Sequence, residues 1–348
     1  VTIETMKAVR LTGWGEPAQV LPVRVPEPQG AELLLEVRAA GLCRSDLHVM
    51  DAPAGVFDYP LPLTLGHEVA GTVVGVGPAA DSSWVGESVV VHGVWSCGDC
   101  RNCRRGRENY CHELRRRADG RLPAIGNGLG YDGGLAEAMI VPTERFVVRT
   151  GGLAPESAAP LADAALTAYH AIRTNQDLVD DQSVAVVVGV GGLGHLAVQI
   201  LRALGGGTVF AVDPRPESRA LAMRLGADAA FADIARIPQS TGADVVFDFV
   251  GSDATTNAAA QLLGPGGRLV VVGSGGGRLT VGKDLGLPNG WQVSAPFWGT
   301  RADLEAVVDL AHRGLLSVES TAYRLDDALD IYDRLRRGAI RGRAVLVP

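Results

Sequence analysis

Lysine is almost missing from this chain. Lys7 and Lys283 are the only two among 32 basic residues, and the rest are arginine, a bias that reads as genome composition rather than function. Aromatic residues are sparse, at 5%. Only Tyr110 falls within the arginine-rich stretch around residues 101–117, where a single-stranded nucleic-acid surface would interleave several. The net charge of −7 argues against polyanions as the main partners. Long apolar runs are missing too. One stretch without formal charge, Val184–Leu201, carries four glycines within Gly189–Gly194, followed by His195 and Gln199. A membrane helix needs about 20 apolar residues, so a strand–turn–helix fits this stretch better. Val1–Gly13 lacks the apolar core of a signal peptide, and Met6-Lys7-Ala8-Val9 reads as a natural start. No repeat or low-complexity segment stands out. The expectation is a cytoplasmic protein, outside membranes, of about two domains for its 348 residues.

Cysteine is scarce but concentrated. Cys97, Cys100, Cys103 and Cys111 form a C-x2-C-x2-C-x7-C run, and Cys43 stands apart. An odd count with tight spacing points to metal ligation in a reducing compartment rather than disulfides. Four thiolates close a tetrahedral zinc site and leave no open position, so this site is structural. The surrounding arginines offset its negative charge. A nucleic-acid-binding zinc ribbon is the rival reading, and the acidic chain and the lack of aromatic interleaving beyond Tyr110 count against it.

Residues 1 to about 150 read as β-rich, with short runs such as Leu33–Val37, Val69–Val76, Ser88–Val91 and Ala138–Val141 broken by Gly and Pro. From about 151 the pattern changes. Val184–Val188, Thr208–Val212, Asp244–Phe249 and Arg268–Val272 are near-continuous apolar runs with helices between them. Strands covered on both faces read this way, and the alternation predicts an α/β fold with a doubly wound parallel sheet. Two amphipathic helices, Arg301–His312 and Asp326–Arg336, and a last strand, Ala344–Val347, are assigned back to the first domain. The expected division is 1–150, with a zinc lobe at 95–112 and completion by 297–348, against 151–296 for the second domain.

The run Val184–Val188 leads into Gly189-Val190-Gly191-Gly192-Leu193-Gly194 and then a helix. In G-x-G-x-x-G the first glycine allows the tight turn, the second lets backbone approach a pyrophosphate, and the third lets the helix pack on the strand. Asp213 ends the next strand, where a carboxylate accepts from ribose hydroxyls and repels a 2′-phosphate. NAD is expected over NADP, with Arg215 and Arg219 nearby weakening the preference.

Cys43, His67 and Asp163 are the remaining chemistry-bearing residues. Gly66-His67-Glu68 is no zincin motif, because Gly71 stands where H-E-x-x-H needs its second histidine. Asp163 sits in an Ala- and Leu-rich helical stretch, Pro160–His170. A carboxylate buried there needs a partner, either an arginine, a backbone amide or a metal.

Together, Cys43-Arg44-Ser45-Asp46, Leu65-Gly66-His67-Glu68, the four-cysteine lobe, Gly189–Gly194 with Asp213, and Gly342-Arg343 resemble the zinc-dependent alcohol dehydrogenases of the medium-chain dehydrogenase/reductase family. The likeness runs along essentially the whole chain. It is closest to bacterial NAD-dependent secondary alcohol dehydrogenases, through Asp163–His170, Phe247–Gly251 and Pro296–Arg301. The resemblance implies a GroES-like β-rich catalytic domain beside a Rossmann domain, and NAD(H) with two zinc ions per chain.

It further implies Cys43, His67 and Asp163 as catalytic zinc ligands, and Glu68 as a nearby carboxylate able to approach the metal. Asp46 would orient His67, while Ser45 and His48 would relay the proton. Thr167 would border the nicotinamide, Gly192, Leu193 and Val250 would lie along the cofactor, and Arg343 would reach its pyrophosphate. Tyr59, Trp95 and Trp298 are candidate walls of an apolar pocket. Substrates would be alcohols and ketones or aldehydes, in a homodimer or homotetramer. Liver-type members carry Cys at the position of Asp163, a change that keeps the ligand charge and leaves polyol or threonine dehydrogenases as alternatives. Zinc-free quinone or enoyl reductases and a non-catalytic NAD sensor fit the ligand set less well.

Overall fold

A computed structural model describes residues 4–283 and 286–348. Val1–Ile3, part of the start expected to carry no leader, lie outside it. The first part of the chain holds strands β1 Thr5–Leu11, β2 Gln19–Arg24 and β3 Leu33–Gly41, helix α1 Arg44–Met50, and strands β4 Leu63–Thr64, β5 Glu68–Val76, β6 Ser88–Val91, β7 Gly126–Asn127, β8 Gly130–Tyr131, β9 Ala138–Val141 and β10 Val147–Arg149. Helices α2 Pro155–Ala158 and α3 Ala164–Arg173 follow. Then come β11 Val184–Val188, α4 Gly194–Ala203, β12 Thr208–Val212, α5 Pro216–Arg224, β13 Ala229–Phe231, β14 Ala243–Asp248, α6 Asp253–Gln261, β15 Leu263–Val271 and β16 Gln292–Ser294. The chain ends with α7 Arg301–His312, β17 Ser320–Arg324, α8 Ala328–Arg336 and β18 Arg343–Val347. Among the described residues no helix is long and apolar enough to cross a membrane.

The chain divides into two compact units. The first holds residues 1–163, 300–308 and 320–348, the second 164–299 and 309–319. Residues 151–163 thus group with the first unit, beyond the boundary expected at 150. Ala158 and Ala159 explain this, because they pack with Ala39, Ala70 and Val345 in a buried cluster. Residues 309–319 group with the second unit, where Gln199 bonds both main-chain groups of Ser317.

The first unit is built on a sheet ordered β10-β6-β5-β3-β18-β17, with β9 also on β3, and a smaller sheet β2-β1-β4. Its register positions the chemistry. Gly41 on β3 faces Glu68 of β5 on one side and Val345 of β18 on the other. The carboxylate of Glu68 lies over Gly41, where any side chain would collide with it. His67, Cys43 and Arg343 are each within two residues of these paired positions, so one sheet end gathers all three.

The second unit is a six-stranded parallel sheet, β13-β12-β11-β14-β15-β16. The valine-rich central strand β11 is buried from Ala185 to Val188. The parallel sheet is as expected, with α4, α5 and α6 linking β11 to β12, β12 to β13 and β14 to β15. α4 begins at Gly194 rather than Gly192, because Gly191–Leu193 make the turn before it. Asp163 is not inside a helix, as Pro160–His170 suggested. A short 3₁₀ turn ends at Ala162, and Asp163 (φ −133°, ψ −61°) breaks the chain before α3.

Candidate active site and metal centres

In the first unit, Cys43 caps the N-terminus of α1. Asp46, fully buried, uses both carboxylate oxygens. One accepts from Cys43 N at 3.0 Å, and the other lies 3.0 Å from His67 Nδ1. A single side chain thus fixes the cysteine loop and turns the imidazole so that Nε2 faces Asp163, at 3.6 Å. Cys43 Sγ is 3.4 Å from Asp163 Oδ2. Three ligand atoms on a tetrahedral zinc at 2.0–2.3 Å stand about 3.4–3.8 Å apart; both distances to Asp163 match, and all three atoms lie within 4.8 Å of one another. Burial works against a charged imidazole, but Asp46 and Asp163 outweigh it and hold His67 well above its ordinary range. The carboxylates call for a cation here, which a dication supplies.

Ser45 Oγ lies 3.6 Å from Cys43 Sγ. His48, on the same short helix one turn later, is exposed. Glu68 is fully buried; burial pushes it up to about 7 against the pull of Arg343. Arg343, expected at a pyrophosphate, also lies against the carboxylates of Glu68 and Asp163. Its guanidinium grips both oxygens of Glu68, Nε at 3.1 Å from Oε2 and Nη2 on Oε1, and Nη2 lies 3.6 Å from Asp163.

Sequence reasoning missed this pairing, and it missed Tyr332. That phenol is buried on α8, which packs on α1. Burial and the facing Asp46 carboxylate hold it well above its ordinary range. A tyrosine on the inner face of an amphipathic helix needs a polar partner for its hydroxyl, and that was the available signal.

The four-cysteine lobe gathers as its spacing predicts. Sγ–Sγ distances are 3.5 Å for Cys97–Cys111 and Cys100–Cys103, 3.9 Å for Cys97–Cys103 and 4.0 Å for Cys100–Cys111. A tetrahedron with 2.3 Å Zn–S bonds has edges of about 3.8 Å. Backbone N–H groups of Cys103 and His112 lower Cys100 to about 6, while burial and the neighbouring thiol of Cys100 raise Cys103 to about 12. Four thiolates do not ionise side by side without a cation, and a closed zinc site provides it.

Of the aromatic candidates, Tyr59 is buried, stacks on Phe57 at 4.7 Å, and senses the charge of His67. Trp95 lies between Tyr131 and Phe146, at 5.0 and 6.0 Å. Trp298, in the second unit, is buried with φ 51°, the one non-glycine with positive φ among the described residues. Thr167, also in the second unit, lies on α3, one turn after Asp163.

In the second unit the loop after β11 shows three reasons for three glycines. Gly189 has φ +86°, and a Cβ there would meet Val250 at 2.7 Å. Gly191 faces open space, with Arg215 Nη2 4.0 Å away as the nearest atom. Gly194 packs directly on the carbonyl of Gly189. The open face at Gly191 ahead of a helix N-terminus is the cradle a pyrophosphate fills. Asp213 Oδ2 accepts from Val190 N at 3.0 Å, tying the acidic residue to the loop. Arg215 pairs with both oxygens of Asp213 at 3.1 Å, and Arg219 donates to the main-chain oxygens of Asp213 and Pro214. Gly194→Ala is expected to push the loop off its strand. Overpacking of this kind costs about 1–3 kcal/mol, so an NADH fluorescence titration should show affinity lowered by up to about a hundredfold.

These features define a two-zinc, dinucleotide-dependent dehydrogenase, and the comparisons agree. Residues 29–151 match the alcohol dehydrogenase GroES-like domain, and residues 192–313 the zinc-binding dehydrogenase domain. D-arabinose 1-dehydrogenase (NADP(+)) of Saccharolobus solfataricus is 34% identical, over 100% of this chain and 99% of its own. An NAD-dependent alcohol dehydrogenase of Sulfurisphaera tokodaii is 33% identical, over 99% and 100%. The structure of acetophenone reductase from Geotrichum candidum in complex with NAD superposes with a TM-score of 0.87 at 32% identity, covering 99% of this chain and 98% of that one. The chain belongs to the zinc-dependent alcohol dehydrogenases of the medium-chain dehydrogenase/reductase family.

Proposed function

We propose that this alcohol dehydrogenase interconverts secondary alcohols and ketones with NAD(H), using Cys43, His67 and Asp163 to hold its catalytic zinc. The observation that carries the reading is the buried triangle of one thiolate, one imidazole and one carboxylate, spaced for a metal and leaving a fourth position for the substrate oxygen. When bound, zinc supplies a Lewis acid for that oxygen and the dinucleotide supplies the hydride acceptor or donor.

The chain's own residues do the rest. Asp46 keeps His67 in the tautomer that offers Nε2. Ser45, beside Cys43, takes the substrate proton, and His48 on the same helix face hands it to solvent. Tyr59 and Trp95 give the first unit apolar surface suited to a hydrophobic ketone, consistent with a relative that reduces acetophenone. Asp213 favours NAD(H) by accepting from ribose hydroxyls. A homodimer or homotetramer in the cytoplasm is part of the same reading, and light scattering tests its size.

A second reading has one specific support, the relative that oxidises D-arabinose. Following NADH absorbance with small ketones, aryl ketones, sugars and threonine separates the two. Faster turnover of ketones and secondary alcohols supports the first reading. Turnover confined to sugars or polyols would sink it in favour of the second.

A further inference from the structure

We propose that His195 is a positioning residue for the dinucleotide loop, and that with Gln199 it forms a two-point clasp between α4 and the chain at 317–319. The inference rests on the dinucleotide reading of the loop. His195 is the second residue of α4 and fully buried. Its Nδ1 lies 2.8 Å from the carbonyl of Gly191. A carbonyl oxygen only accepts, so Nδ1 carries the proton. Its Nε2 accepts from Glu319 N at 3.2 Å. The ring is therefore a neutral imidazole with a defined tautomer and both nitrogens engaged.

The Gly191 carbonyl also receives His195 N at 3.3 Å, so one residue holds it with two donors. In a planar trans peptide the N–H points opposite the carbonyl. Pinning the Gly191 oxygen toward α4 therefore aims the Gly192 N–H away from the helix, at the open face of the loop. An anion met there finds a donor already oriented.

The clasp follows from a match of two periods. Residues 195 and 199 are four apart on a helix, a rise of about 6 Å. Residues 317 and 319 are two apart just ahead of β17, and two residues of extended backbone span about 6.6 Å. Gln199 Nε2 donates to Ser317 O at 2.9 Å, and Ser317 N donates to Gln199 Oε1 at 2.9 Å. His195 takes Glu319 N one pleat further on. Two side chains read this backbone as a neighbouring strand would. The start of α4, and with it the loop, is anchored to chain more than 100 residues away.

The two nitrogens separate in a variant series. His195→Asn keeps a donor near the place of Nδ1, and His195→Gln keeps an acceptor near that of Nε2. NADH affinity by fluorescence titration should fall about five- to tenfold in His195→Ala and His195→Gln, the loss of one buried hydrogen bond, and recover to within about twofold in His195→Asn. Thermal melting should show the reverse order, with His195→Gln closer to the unsubstituted protein than His195→Asn. Unchanged NADH affinity in a folded His195→Ala, or equal losses in Asn and Gln, would overturn the proposal. If the unsubstituted protein binds no NADH, the dinucleotide reading falls first.

Discussion

Asp163→Ala should leave the protein with one zinc where it had two, and lower its turnover about a thousandfold. Loss of a Lewis acid removes several kcal/mol of charge stabilisation, and about 4 kcal/mol corresponds to that factor. Cys43 and His67 alone do not make a tight zinc site. Glu68, the nearest other carboxylate, is held on both oxygens by Arg343. The four-cysteine lobe shares no ligand with the set, so its ion should stay. NADH binding, carried by the loop of the other unit, should be unchanged. Asp163→Cys is the instructive control: it keeps one negative charge and a zinc-binding atom, so two zinc ions are expected again. Metal analysis of the three proteins decides the matter, and an Asp163→Ala protein that still holds two ions and full activity would refute the ligand assignment.

Arg343→Met should destabilise the fold strongly. It leaves Glu68 buried without its cation, beside Asp163. Breaking a buried pair by removing one partner costs about 3–5 kcal/mol, which lowers the melting temperature by roughly 10 °C in a chain of this size. Adding Glu68→Gln removes the stranded charge, and a double variant of similar volume should regain most of the loss. Chelation before melting sharpens the contrast, because the zinc dication offsets part of the stranded charge. A single variant that melts within about 1 °C of the original would show that Arg343 contributes little to holding the fold.

What could be read from the sequence was whatever chemistry is local. The strands Val184–Val188 and Thr208–Val212 lie where their apolar runs put them, because a strand covered on both faces has to be apolar throughout. The four cysteines and the glycine loop are contiguous, and their spacing is their geometry. The Glu68–Arg343 pair spans 275 residues. It arises from the register of β5, β3 and β18, which no local pattern spells, so nothing in the sequence signalled that Arg343 also meets Glu68. Asp163 was read into a helix because Ala and Leu surround it; the break depends on tertiary contacts of the 3₁₀ turn. Nothing local marks His195, since its partner at Glu319 is visible only once the chain has folded. Trp298 gave no sign of its left-handed backbone, a conformation normally announced by glycine or asparagine.

The thiol lobe also sets how the protein should be handled. Cys97 is exposed, Cys100 and Cys103 are half-buried, and Cys97 stands 3.5 Å from Cys111. While zinc is present these sulfurs are occupied. Once a chelator or a low pH removes it, they are neighbouring thiols within reach of dissolved oxygen, and oxidation to disulfide or beyond blocks the ion's return. The exposed lobe is therefore expected to oxidise before the buried Cys43 does, and zinc kept in the storage buffer should slow that loss.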